Sequence, residues 1–176
     1  MTKYDPPAND DAKDHAHWDA VDEAVEMLHE ERYHDALLYL RDVIRADGKN
    51  PYAFFFLAIA LFETGELEAA RDAYRACLIV APLHLGARIS LSHVLRQLGD
   101  QREAIKEGTI ALSQAPGDGD ALYAVGMAYF ARGDNVAARK YLMAFLEANP
   151  EFEVATEVRG MLGSMGMDNE PSDDSN

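Results

Sequence analysis

Residues 51–84 read PYAFFFLAIALFETGELEAARDAYRACLIVAPLH, and the way this stretch is copied along the chain decides the fold. Its Gly65 recurs 34 residues later as Gly99 and again as Gly133; Ala70 recurs as Ala104 and Ala138, and Pro82 as Pro116 and Pro150. A glycine, a small residue and a proline held in one phase specify a helix, a tight turn, a second helix and a break. Stacked copies of such a unit predict an all-α solenoid over residues 51–84, 85–118 and 119–152.

Residue size follows the same phase. Phe54, Leu57, Ala58, Leu61, Tyr74 and Cys77 in the first unit, Leu91, Ser92, Leu95 and Ala111 in the second, and Leu122, Val125, Gly126, Tyr129 and Leu142 in the third alternate large and small at matching places. This pattern resembles the tetratricopeptide repeat family. The resemblance implies a right-handed solenoid of antiparallel helix pairs with a C-terminal capping helix, and a role in protein binding.

Outside the three units the pattern loosens. Residues 1–14 combine Pro6, Pro7 and several acids with few large apolar side chains, so disorder is expected there. From residue 15 to 50, Trp18, Val21, Val25 and Leu28, then Tyr33, Leu37, Leu40 and Ile44, recur at helical spacing and predict a degenerate first repeat. Its turn carries Glu31 in place of glycine, and Asp47-Gly48-Lys49-Asn50 lengthens its exit. Phe152, Val154, Ala155, Val158, Met161 and Leu162 predict an amphipathic capping helix over residues 153–165, followed by a disordered acidic tail over 166–176.

A net charge of −15 opposes polyphosphate, which excludes nucleic acid as a partner and disfavours anionic membranes. The chain has no apolar run long enough to span a bilayer and its start lacks a secretory pattern, so a soluble cytoplasmic protein is expected. The single cysteine, Cys77, falls where the repeat needs a small buried residue.

The functional signal is the apolarity of each unit's first helix on two faces. One stripe, Phe54, Leu57, Ala58 and Leu61, is expected to pack against the partner helix and the next unit. A second, Tyr52, Phe55, Ile59 and Phe62, shares another face and repeats as Tyr123, Met127 and Phe130, with Ile89, His93 and Arg96 in the middle unit. The family resemblance places this second face on the concave side of the superhelix and makes these ten residues the candidate peptide-binding groove. Chaperone-tail binders of the family hold a carboxylate there with lysine, asparagine and arginine. Phe55, Ile59, Ile89, His93, Tyr123 and Met127 stand at those places here, so an apolar or basic protein segment is the expected partner. The chain's own tail, or a second copy forming a homodimer, is the alternative cover. Small size, the Phe54-Phe55-Phe56-Leu57 opening and the Asn149-Pro150-Glu151-Phe152 end also resemble the chaperones of type III secretion translocators.

Catalytic and metal patterns are missing. His15 with His17, and His29 with His34, have no companions at tetrahedral metal-ligand spacing. Asp118-Gly119-Asp120 lacks the remaining ligands of a calcium loop and reads as the turn between repeats. No glycine-rich phosphate loop, nucleophile elbow or His-Glu-x-x-His helix occurs, so neither a metal, a cofactor nor an enzymatic activity is expected. Gly108 stands where the neighbouring units carry Tyr74 and Leu142, and is expected to admit a bulky neighbour such as Tyr129, the alternative being a notch for a partner.

Overall fold

Helix starts are set by capping side chains that keep the 34-residue period. Asn50 Oδ1, His84 Nδ1 and Asp118 Oδ1 accept the backbone N–H groups of Ala53, Ala87 and Ala121 at 3.2, 3.1 and 2.9 Å. Each satisfies an N–H that the first turn of a helix leaves unpaired. The computed structural model describes residues 12–167 and places ten helices in them. They are α1 (Ala12–Asp19), α2 (Asp22–His29), α3 (Tyr33–Ala46), α4 (Pro51–Glu63), α5 (Leu67–Val80), α6 (Leu85–Gln97), α7 (Gln101–Gln114), α8 (Gly119–Ala131), α9 (Asn135–Glu147) and α10 (Phe152–Met167). Helices α2 to α9 pack as four successive pairs, and α10 packs on α9. The described chain is an all-helical solenoid, as the repeat period requires.

The turn inside each pair is a left-handed C-cap. Gly65, Gly99 and Gly133 have φ of 82°, 84° and 82°, and the next residue's N–H reaches back to the carbonyls of Leu61, Leu95 and Tyr129. Glu31, in the same register, adopts φ of 59° while Arg32 N–H bonds the Met27 carbonyl at 2.9 Å. The hydrogen-bonded geometry of the fold thus imposes on a glutamate a conformation that L side chains resist. Glu31→Gly is expected to stabilise the protein by about 1 kcal/mol, read as a higher midpoint in urea at unchanged slope.

Most of the core is one continuous cluster running through α2 to α7, with Leu28, Leu40, Phe56, Leu91 and Leu95 almost fully enclosed. A second cluster joins α9 to α10 through Leu142, Phe145, Val158 and Met165. Arg139 of α9 also donates to the Leu162 carbonyl at 3.1 Å. Small residues set the closest helix approaches. A Cβ on Gly126 would lie 2.7 Å from Leu142 Cδ2, and one on Gly108 would lie 2.6 Å from Val125 Cγ2. Gly108 therefore admits Val125 of α8, whereas Tyr129 instead stacks on Tyr141 with ring centroids 5.5 Å apart. Gly108→Ala is expected to lower stability by about 1–2 kcal/mol despite its gain in helix propensity, because overlap at 2.6 Å forces Val125 aside. Chemical denaturation checks this sign.

Two boundaries differ from the sequence expectation. Helix α1 begins at Ala12, inside the stretch expected to be disordered, because partners distant in sequence hold it. Tyr52 donates its hydroxyl hydrogen to Asp14 Oδ1 at 2.9 Å, and His17 Nε2 lies 2.9 Å from Asp47 Oδ2. The amide of Asn50, itself buried, donates to the His17 carbonyl at 2.7 Å. The lengthened exit at 47–50 thus supplies two anchors for α1. At the other end α10 continues to Met167, past residue 165, with Met165 buried against the α9 cluster. The expected disorder of residues 1–11 and 168–176 concerns positions outside the described residues.

Candidate functional site

The ten candidate groove residues divide by environment. Phe55, Ile59 and Ile89 are 6%, 9% and 9% exposed, so they belong largely to the packing. The Phe55 ring lies 4.6 Å from the His84 ring, 5.3 Å from Phe56 and 6.1 Å from Tyr74, and a Cβ on Gly86 would sit 3.4 Å from its tip. The second stripe is thus partly packed into the seams rather than wholly turned to the expected groove. The first turn of α6 comes over Phe55, and Gly86 leaves the room for it. Leu57 and Phe54 of the expected packing stripe are only partly buried.

Tyr52 is taken up by α1. Trp18 and Tyr52 meet at right angles with ring centroids 5.3 Å apart, and burial together with the Asp14 hydrogen bond pushes the Tyr52 phenol up to about 12. Met127 is partly buried beside the α9–α10 cluster, and Phe130 is exposed near the end of α8. Arg96 Nε is enclosed with no hydrogen-bond partner among the described residues.

The remaining groove residues frame two adjoining clefts. Between α4 and α6, a cleft of about 340 Å³ is walled by Ile59, Phe62, Tyr74 and Val94, with Glu63 and Gln97 also lining it. A second, of about 550 Å³, is framed by α6, the start of α8, the end of α9 and the start of α10. Tyr123, Phe145 and Val154 form its apolar wall, while Asp118, Asp120 and Glu151 supply carboxylates. His93 lines both.

Burial, and then the charge of Arg96, push His93 down to about 4, so the imidazole between the clefts is neutral at pH 7. His84 is also lowered by burial, consistent with Nδ1 serving as an unprotonated acceptor at its cap. Desolvation, followed by the charge of Asp118, raises the Asp120 carboxyl above its ordinary value. A histidine whose folded pKa is depressed stabilises the fold above its unfolded value near 6.5, and that contribution fades as pH falls toward 4. His93→Gln is therefore expected to remove about 2–3 kcal/mol of the stability difference between pH 7.5 and pH 4.5. Paired urea titrations of the two proteins at both pH values test this.

Cys77 is buried, and burial pushes its thiol up to about 12, which leaves it a packing residue rather than a nucleophile. Among the described residues no group of three or more His, Cys, Asp or Glu side chains could hold a metal ion. No helix among them is long and apolar enough to cross a membrane.

The acidic side of the second cleft was not foreseen. Asp118 and Asp120 read as an inter-repeat turn, Phe145 lies on α9, Glu151 just before α10 and Val154 on the capping helix, none of them in the groove stripe. A wall assembled from four elements leaves no local pattern in the sequence.

Known proteins agree with this architecture. The crystal structure of MamA is similar at 25% identity, covering 74% of this chain and 76% of that one with a TM-score of 0.69. YrrB, described as a tetratricopeptide repeat protein with an unusual peptide-binding site, matches at 21% identity over 83% of this chain and 74% of its own, TM-score 0.70. PilF of Pseudomonas aeruginosa matches at 16% identity over 90% and 72%, TM-score 0.78. No curated protein sequence matches the chain significantly. The tetratricopeptide repeat family profile matches residues 22–82 and 89–151, and the chain belongs to that family.

Proposed function

We propose that this chain is a non-enzymatic protein-interaction module, an adaptor or scaffold, that holds an apolar or basic segment of a partner protein in the groove along α4, α6, α8 and α10. The observation that carries this reading is the pair of adjoining clefts sharing His93, which expose Phe62 and Tyr123 beside one another's units. Tetratricopeptide repeat proteins bind peptides or proteins, and the peptide-binding site of YrrB belongs to the same fold. Large side chains lining an open cleft gain most when a partner displaces their water.

The test is a random dodecapeptide library selected on the full chain, with selected peptides located by amide shifts. Shifts concentrated at Phe62, His93 and Tyr123 are expected, and Phe62→Ser together with Tyr123→Ser should weaken binding at least tenfold. Peptides that shift only residues of α3, α5 or α7 would move the site out of the groove. A groove filled by a second copy would instead appear as a stable dimer in light scattering at two concentrations.

A further inference from the structure

The two clefts differ in chemistry, and the difference specifies their guests. The α4–α6 cleft is walled mainly by Ile59, Phe62, Tyr74 and Val94, which suits one large apolar side chain. The cleft at the start of α8 has an aromatic and aliphatic wall with carboxylates beside it, and no lysine or arginine lines it. Some carboxylates elsewhere are matched within the chain: Glu107 pairs with Arg88, Asp134 with Arg132 and Asp72 with Arg71. Asp120 and Glu151 make no ion pair among the described residues, and one oxygen of Asp118 is used on the Ala121 N–H. The charge of Arg96 is felt at His93 and Tyr123, which line this cleft.

We infer that the groove holds one peptide by two anchors, a large apolar side chain between α4 and α6 and an arginine or lysine in the cleft formed by Asp118, Asp120 and Glu151, with His93 as the wall between them. This rests on the groove-binding reading above. A basic side chain fits both surfaces of its cleft: its aliphatic stem lies on Tyr123, Phe145 and Val154 while its charged head reaches the carboxylates. The net charge of −15 attracts a cationic segment from a distance and repels an acidic one. A glutamate in the same place would meet three carboxylates against the single guanidinium of Arg96.

The probe is the dodecapeptide library of the preceding test, followed by synthetic copies of its strongest groove binder in which each arginine becomes citrulline and each lysine norleucine. Arginine or lysine should be enriched beside a large apolar residue, and removing that one charge should weaken binding at least tenfold in fluorescence anisotropy. Asp120→Asn with Glu151→Gln should cause a similar loss at an unchanged melting temperature. The charge-matched control, Glu23→Gln with Glu26→Gln on α2, should bind within twofold of the parent. Groove binders without a basic residue, or equal loss in both double variants, would overturn the two-anchor inference and leave groove binding standing. Acidic peptides whose binding is lost with Arg96→Gln would overturn it too, by moving recognition to that guanidinium. A library that yields no groove binder would overturn both readings.

Discussion

Ending the chain at residue 151, which removes α10, is expected to lower the melting temperature by about 10–20 °C and to cause aggregation. Ending it at residue 167 should do neither. Helix α10 buries Val158, Ala155 and Met165 almost completely and covers part of the surface of Leu142 and Phe145. Two fully buried large side chains and several partly buried ones amount to roughly 5 kcal/mol, at about 1.5–3 kcal/mol for each full burial. A chain of this size loses about 2–4 °C per kcal/mol. In a solenoid that loss falls on the last pair, because each unit is supported only by its neighbours, so α8 and α9 should fray first. Scanning calorimetry with light scattering on the two truncations measures it, and equal behaviour would show that α10 does not act as the cap.

Phe55→Ala is expected to destabilise the protein by about 3–5 kcal/mol, the usual cost of an alanine in place of a buried phenylalanine. The ring fills the space between α4 and the start of α6, against His84, Phe56 and Tyr74, and none of these can collapse into the void without moving a helix. Phe62→Ala, two turns further along the same stripe, should cost less than about 1.5 kcal/mol because its side chain borders an open cleft. For peptide binding the order should reverse: Phe62→Ala loses affinity at full stability, and Phe55→Ala loses it only as the fold melts. Urea denaturation beside anisotropy separates the two. A Phe55→Ala protein of parental stability would place that ring outside the core.

Gly65, Gly99 and Gly133, with the alanines and prolines that share their phase, determined by themselves that this chain is a stack of helix pairs. Their information is local: a left-handed turn, a close contact and a helix break each demand one residue type at one place, and a repeat prints that demand at constant spacing. Leu142 and Val158 as core follow from the same short-range rules. What only the tertiary structure decided is which face of α4, α6 and α8 remains open. Periodicity places Phe55 and Phe62 on one stripe, but the rotation between neighbouring units brings α6 over the first and leaves the second beside a cleft. Likewise α1 has no buried residue of its own to announce it, and its helix is held by Asn50, Tyr52 and Asp47, which lie 30 or more residues away in sequence. Groove shape and acidic lining are properties of the stacking angle, set by the sum of many side-chain volumes across helices, and no single segment encodes that sum.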